Sequence, residues 1–189
     1  MSSLKFFKSK WFILVTAGVV FITSVIYLSF NFWTRAEIEV LGQTMLPTYQ
    51  DKQRLCGQKI WSMQDLQRND VAVIYTGEGS SYYLKRVIAL ENETIAISDN
   101  KVTILNAEGN QINFKDEYGN YFNPDLKDDT FDLANLKIPM GNIYVLGDNR
   151  QNSADSRIFG PVPVNQVKYK ITRSDTSNSP FFGLSCRFF

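Results

Sequence analysis

The chain has 189 residues, a formal net charge of +1 and 44% hydrophobic residues, which suits one domain with an apolar core. The balanced charge argues against a nucleic-acid-binding protein, because such proteins normally carry a basic surplus. The sequence contains no histidine, which excludes Ser-His-Asp and Cys-His catalysis and histidine-ligated zinc. Any hydrolytic reaction in this chain therefore needs a different base.

The first predicted element is a membrane-spanning helix at residues 11–33. This run contains no charged residue, and about 20 apolar residues suffice to cross a bilayer. It is longer than the apolar core of a cleaved signal peptide, ~7–15 residues, so we expect an uncleaved anchor. Lys5, Lys8 and Lys10 precede the run. The positive-inside rule therefore predicts a single-pass cell-membrane protein with a cytoplasmic tail at 1–10 and an extracytoplasmic domain at 34–189.

The predicted extracytoplasmic part has the pattern of a mostly β domain. Runs rich in β-branched and aromatic residues alternate with turn residues, at 36–40, 70–75, 82–90, 94–98, 101–105, 142–146 and 163–171. Residues 62–68 fit one helical turn, and 133–136 fit either class. The polar stretch at about 106–136 predicts a smaller inserted subregion within the same domain.

Two cysteines, Cys56 and Cys186, lie in the part that is predicted to be exported. An oxidising exterior permits a disulfide between them, but their distance along the chain does not establish that the side chains meet. Two isolated thiols are the favoured interpretation.

Three segments carry residue types from which a catalytic site can be built. They are LGQTMLPTY at 41–49, YYLKRVIAL at 82–90 and GDNRQNSADSRIFGPV at 147–162. In order and spacing they resemble the motif boxes of type I signal peptidases, and RNDVAVIY at 68–75 resembles a further box. The third box is the most specific, and the resemblance extends over essentially the whole chain. It implies a signal-peptidase-like β-sheet or barrel domain on one N-terminal transmembrane helix, which cleaves signal peptides without a metal or cofactor.

The resemblance assigns the catalytic dyad to Thr44 and Lys85. The family's first box reads Ser-Met-x-Pro-Thr, and this chain has Thr44 where the family has the nucleophilic serine. Threonine carries the same hydroxyl, but its γ-methyl stiffens χ1 and has to fit beside the reacting carbonyl. Lys85 corresponds to the general base, so burial would have to lower its pKa from ~10.4 toward 7–8. Strand alternation predicts Tyr83 and Val87 on its face of the strand, with Arg86 on the opposite face.

The third box corresponds to the residues that support the dyad. Ser153 matches a serine that hydrogen-bonds and orients the base lysine in the family. Four charged residues would brace the site through ion pairs: Asp148, Arg150, Asp155 and Arg157. The alternative is that they form surface salt bridges worth less than ~1 kcal/mol. Gly42 matches a glycine of Gram-positive members, and it leaves oxyanion stabilisation to the backbone N–H of Thr44.

The resemblance further implies how a substrate binds. An extended precursor peptide would add as a strand between residues 37–42 and 81–84, with Tyr83 and Leu84 among its contacts. Met45 is a candidate pocket wall, and core packing is its alternative role. The implied partners are exported precursor proteins and the lipid bilayer, with no nucleic acid.

The threonine at the nucleophile position leaves a second function open. A catalytically silent, signal-peptidase-like assembly factor would bind exported surface or pilus proteins in the same groove without cutting them. Lys85, Ser153 and the third box favour the peptidase. A self-cleaving regulator of related chemistry is a third interpretation, but the sequence has no N-terminal DNA-binding region to support it.

Overall fold

The computed structural model describes residues 2–77, 81–99, 101–118, 131–175, 182 and 186, and for residues 2–9 only their helical backbone. Helix α1, Ser2–Thr34, opens the chain. Its segment Lys10–Thr34 has a mean hydropathy of 2.3, so it is long and apolar enough to cross a membrane. The helix begins well before residue 11, so residues 2–10 of the predicted tail continue the helix.

Beyond α1 the described residues form ten strands and one short helix, so the fold is mostly β, as predicted. The strands are β1 Arg35–Glu39, β2 Arg54–Lys59, β3 Val71–Tyr75, β4 Tyr82–Ala89, β5 Thr94–Ser98, β6 Lys101–Leu105, β7 Leu133–Lys137, β8 Asn142–Leu146, β9 Val162–Pro163 and β10 Val167–Ser174. Helix α2 is Ser156–Phe159, and 3-10 turns occupy Met63–Asp65 and Val164–Gln166.

The strands form two sheets. The larger sheet has the order β1-β2-β10-β3-β4-β8-β9, and the smaller has the order β6-β5-β7. All strand pairs are antiparallel. The predicted subregion at 106–136 contains most of β7, which pairs with β5 in the smaller sheet. Residues 119–130 of this subregion lie outside the described residues.

The β4–β8 pair separates two hydrophobic clusters. Val87 and Val145 pack into one cluster, whereas their neighbours Ile88 and Leu146 pack into the other. Because successive side chains on a strand face opposite ways, one strand can serve both clusters. Full burial of such a side chain stabilises the fold by ~1.5–3 kcal/mol. Strand β4 is therefore held firmly from both faces, which fixes the position of Lys85 at its centre.

Cys56 of β2 and Cys186 are joined by a disulfide, with their Cα atoms 5.5 Å apart. Both cysteines are buried together with Phe182. The expectation of two isolated thiols is therefore wrong. The 130-residue separation carried no information on distance, because the end of the chain returns to β2 only in the folded protein.

Candidate active site

The fold brings together Thr44, in the turns that follow β1, and Lys85, at the centre of β4. The Nζ of Lys85 donates a hydrogen bond to Oγ1 of Thr44 at 3.0 Å. The Thr44 turn is fixed locally: Gly42 has φ +89°, which favours glycine, and its N–H donates to the Asp51 carboxylate at 2.8 Å. The first and second boxes therefore meet at one hydroxyl and one amine.

Lys85 is a buried lysine, with only 1% of its surface exposed. Burial lowers the pKa of its amine from the ordinary 10.5 to about 8; Asp155 raises this pKa, Arg157 lowers it and Asp148 raises it. Desolvation prevails because the amine hydrogen-bonds the Thr44 hydroxyl and none of the described carboxylates. A substantial share of Lys85 is therefore neutral near pH 8.

The two faces of β4 differ as strand alternation predicted. The Lys85 Nζ lies 5.4 Å from the centre of the Tyr83 ring. Arg86 turns the other way and donates to Asp148 through Nε at 2.7 Å and Nη2 at 2.6 Å. Thr48, just after the nucleophile turn, also donates to Asp148, at 2.5 Å. Buried Asp148 thus ties β4 to the segment that carries Thr44.

A second buried carboxylate, Asp155, organises the start of α2. It accepts hydrogen bonds from the backbone N–H of Gly147 at 3.0 Å and from Nε of Arg157 at 2.8 Å. Arg157 in turn donates through Nη2 to the carbonyl of Arg150 at 2.7 Å. One ion pair and two hydrogen bonds to the backbone therefore tie the residues of the third box to one another.

Arg150 links this box to the inserted subregion. Its guanidinium is buried, donates to the Gly147 carbonyl at 3.0 Å and forms a bidentate pair with Asp116. Tyr118 lies beside Arg86, whose guanidinium carbon is 4.6 Å from the ring centre. The sequence analysis did not identify Asp116, Tyr118 or Thr48 as site residues. Of the three, only Thr48 lies in a motif box, so only its role could have been predicted from the sequence.

The ion pairs of the third box are buried, so the interpretation as surface salt bridges does not apply to them. Asp148, Asp155 and Arg150 are all buried, and Arg157 is half-buried. Breaking a buried pair leaves an uncompensated charge, which costs far more than the loss of an exposed pair. These residues therefore hold the turn of Thr44 and the strand of Lys85 in a fixed relation.

Ser153 is close to the dyad, but the expected hydrogen bond from it to Lys85 is not formed. Its Oγ is buried and has no hydrogen-bond partner among the described residues. A Cβ on Gly147 would lie 2.1 Å from this Oγ and 2.7 Å from the Thr44 carbonyl oxygen. Ser153 therefore packs on the glycine, while the Lys85 amine turns to Thr44 instead.

A cleft with a volume of about 690 Å³ opens at the dyad. It is lined by residues 36–41 and 81–85 together with Thr44, Val73, Ala154 and Tyr169. Tyr83 and Leu84 belong to this lining, as expected for substrate contacts. Gly42 and Met45 are not among the described lining residues, and Met45 is only 1% exposed. Core packing is thus the role that the geometry favours for Met45.

Comparison with known proteins gives consistent matches. A model of the family described as signal peptidase, peptidase S26, matches residues 10–173. Signal peptidase I P of Bacillus subtilis subsp. natto is 30% identical over 162 residues, which cover 83% of this chain and 84% of that protein. Signal peptidase I V of Bacillus subtilis (strain 168) is 32% identical over 162 residues, 82% of this chain and 91% of that one.

A crystal structure of a signal peptidase I from Enterococcus faecalis V583 is 28% identical and covers 57% of this chain and 97% of that chain, with a TM-score of 0.46. The family match spans most of the chain, and both Bacillus relatives are named as signal peptidases. Together with the apolar N-terminal helix, they indicate a membrane-anchored protein. The chain therefore belongs to the type I signal peptidase family.

Proposed function

We propose that this chain is a membrane-bound endopeptidase that cleaves N-terminal signal peptides from exported precursor proteins, with Thr44 as nucleophile and Lys85 as general base. The contact of 3.0 Å between the Lys85 amine and the Thr44 hydroxyl carries this proposal. A general base has to lie within hydrogen-bonding reach of the proton that it removes and has to be unprotonated. The pKa of about 8 meets the second condition.

The reaction follows from these two groups. Neutral Lys85 takes the hydroxyl proton while Oγ1 of Thr44 attacks the carbonyl carbon of the scissile peptide bond. The backbone N–H of Thr44 stabilises the oxyanion of the tetrahedral intermediate. The lysine ammonium then gives its proton to the leaving amine, which is the new N-terminus of the mature protein. Water, deprotonated by the same amine, hydrolyses the ester on Thr44 and releases the signal peptide.

The cleft supports recognition of an extended peptide. Residues 37–41 and 81–84 line its two sides, so a substrate strand between them would present alternate side chains to the protein. Tyr83 and Leu84 contact the substrate in this arrangement. The family resemblance implies small residues, such as Ala-x-Ala, before the cleaved bond.

The disulfide supports the proposed orientation, with the N-terminus in the cytoplasm and residues 34–189 outside. Disulfides persist in oxidising compartments and are rare in the cytosol, and Cys56 and Cys186 both lie beyond the anchor. Protease added to protoplasts should therefore digest the C-terminal domain. Complete protection of that domain from the protease would indicate the opposite orientation in the membrane.

The threonine favours one rival function, a silent factor that binds exported surface proteins and assists their assembly. Cleavage of a signal-peptide-bearing precursor by the wild type, Thr44→Ser and Thr44→Ala separates the two. We expect the wild type and Thr44→Ser to cut, because the site already accommodates the γ-methyl, and Thr44→Ala to be inactive. Thr103→Ala, on β6 of the smaller sheet, removes a threonine hydroxyl elsewhere and should cleave normally.

The opposite pattern would establish the rival. In that case the wild type binds the precursor without cutting it at any pH, and Thr44→Ala still supports assembly of the exported protein in the cell. Thr44→Ser would then gain peptidase activity, because Lys85 remains in place.

A further inference from the structure

A second pocket, with a volume of about 420 Å³, adjoins the active-site cleft and shares Tyr82 and Tyr169 with it. Its other lining includes Lys59, Trp61 and Lys168, and none of its described lining residues is acidic. The proposed cleavage reaction uses neither the lysines nor the tryptophan. The pocket thus combines positive charge with exposed aromatic surface at a place that catalysis leaves unexplained.

Strand register places this pocket at the end of the larger sheet where the chain arrives from α1. Helix α1 ends at Thr34, and the next residue, Arg35, pairs with Gln58 of β2. Lys59 is the following residue of β2 and pairs with Tyr169 of β10. Because the strands are antiparallel, the start of β1, the end of β2 and the start of β10 share one end of the sheet.

The same end continues across the next two strands. Val167 at the start of β10 pairs with Ile74 near the end of β3, and Tyr75 at that end pairs with Tyr82 at the start of β4. The pocket therefore takes lining residues from β2, β10 and β4, at the sheet end next to the anchor. Where α1 crosses a bilayer, this end of the sheet adjoins the point at which the chain leaves the lipid.

The side chains in the pocket suit that position. Trp61 is 69% exposed, Tyr82 is 53% exposed, and the Lys59 Nζ lies 4.2 Å from the centre of the Trp61 ring. The nearby carboxylate of Asp65 accepts hydrogen bonds from the backbone N–H groups of Trp61, at 2.7 Å, and Ser62, at 3.0 Å. Asp65 thereby fixes the turn that presents Trp61. Exposed tryptophan and tyrosine prefer the membrane–water interface.

We propose that this pocket binds the phosphate headgroup of an anionic phospholipid in the bilayer that α1 crosses. Lys59 and Lys168 supply the charge complementary to the phosphate, while Trp61 and Tyr82 contact the adjoining interfacial region of the lipid. The proposal rests on the membrane-spanning role of α1 and not on the cleavage reaction. Since Tyr82 and Tyr169 also line the cleft, a bound lipid holds the cleft at the membrane surface, where a precursor's cleavage site emerges.

The test uses the full chain with Trp11→Phe and Trp33→Phe, so that Trp61 is the only one of the three tryptophans left. It is placed in nanodiscs of phosphatidylcholine alone or mixed with phosphatidylglycerol, each with a small share of lipid brominated near the headgroup. We expect stronger quenching of Trp61 in the discs that contain phosphatidylglycerol. Each lysine contributes roughly fivefold to the affinity for an anionic surface. The double variant Lys59→Gln/Lys168→Gln should therefore bind phosphatidylglycerol about 25-fold more weakly, so that its quenching requires a higher share of this lipid.

Lys101→Gln/Lys137→Gln is the matched control, because it makes the same change of charge on exposed positions of the smaller sheet. This control should leave the lipid dependence unchanged. Equal quenching in both kinds of disc, or an equal loss in the control pair, would overturn the proposal. An effect reproduced by inorganic phosphate in discs of phosphatidylcholine would also overturn it, because it would indicate a soluble anion site. The fluorescence readout needs no cleavage, so Thr44→Ala should behave like the parent, and failure of this test is separate from failure of the peptidase proposal.

Discussion

Replacing Lys85 with methionine separates the stability cost of the buried amine from its catalytic use. Methionine keeps an unbranched side chain of similar length but removes the charge. The pKa of Lys85 is lowered from 10.5 to about 8, and each unit of pKa corresponds to ~1.4 kcal/mol. Protonation of the amine in the folded protein is therefore less favourable by roughly 3 kcal/mol than in the unfolded chain.

The pH dependence has a definite sign. Because the pKa of Lys85 is lower in the folded state, the unfolded chain binds more protons between about pH 8 and 10.5. Below pH 8 the buried amine lowers the free energy of unfolding by the whole of this amount, roughly 3 kcal/mol, and at pH 9 it lowers it by roughly 2 kcal/mol. The hydrogen bond to Thr44 that methionine loses offsets ~1 kcal/mol of the gain. Lys85→Met should therefore be more stable than the wild type by about 2 kcal/mol at pH 7 and by about 1 kcal/mol at pH 9.

Calorimetry of the full chain in detergent micelles measures this gain, with precursor cleavage followed in parallel. A gain of about 2 kcal/mol raises the Tm by roughly 4–8 °C for a domain of this size, while cleavage should be lost. Lys137→Met, at an exposed position of β7, is the control and should stay within ~0.5 kcal/mol of the wild type. A melting temperature at or below that of the wild type at pH 7, or equal gains at both pH values, would refute the reasoning.

Three further outcomes test the site. Cleavage by the wild type should rise about tenfold from pH 7 to pH 9 and then level off, because Lys85 titrates near pH 8; a continued rise toward pH 10.5 would mean an ordinary lysine. Asp116→Ala should destabilise the protein by ~3–5 kcal/mol in chemical denaturation, because buried Arg150 loses its partner. Glu37→Ala, at an exposed pair, should cost less than ~1 kcal/mol, and equal losses would contradict burial of the first pair. Gly147→Ala should lower kcat on the order of 10²-fold, because its Cβ would push the Thr44 carbonyl; unchanged kcat would show that this contact does not position the nucleophile.

Much of the fold could be predicted from the sequence, because most strands are short runs of β-branched residues between turns. Strand β2 was missed, since its sequence RLCGQK has no β-branched residue and contains a glycine. The structure explains Gly57: a Cβ there would lie 2.4 Å from Cδ1 of Ile38 and 3.0 Å from Cβ of Tyr169. Side chains of the two neighbouring strands thus crowd this position and favour a glycine, and this tertiary constraint overrides local propensity.

The site was predictable to the extent that motif boxes carry it. The boxes placed Thr44, Lys85 and the charged residues of the third box together, but the family pattern did not determine which partners those charges would find. Arg150 pairs with Asp116, which lies in a polar stretch without periodicity or motif. Such a contact depends on how the inserted subregion folds back over the sheet, and no local pattern encodes that.

The adjacent cations of β4 show how one strand can carry a base and a permanent charge side by side. Burial by itself would lower the pKa of Arg86, but its hydrogen bonds to Asp148 and the charge of that carboxylate raise the pKa overall. Asp148 also raises the pKa of Lys85, yet only through its charge, and there desolvation prevails. The difference between the two cations is therefore one of contact: the guanidinium is hydrogen-bonded to a carboxylate, whereas the amine meets a hydroxyl. Because opposite faces of the strand keep the two environments apart, Asp148 can hold the scaffold together through Arg86 without fixing a proton on Lys85.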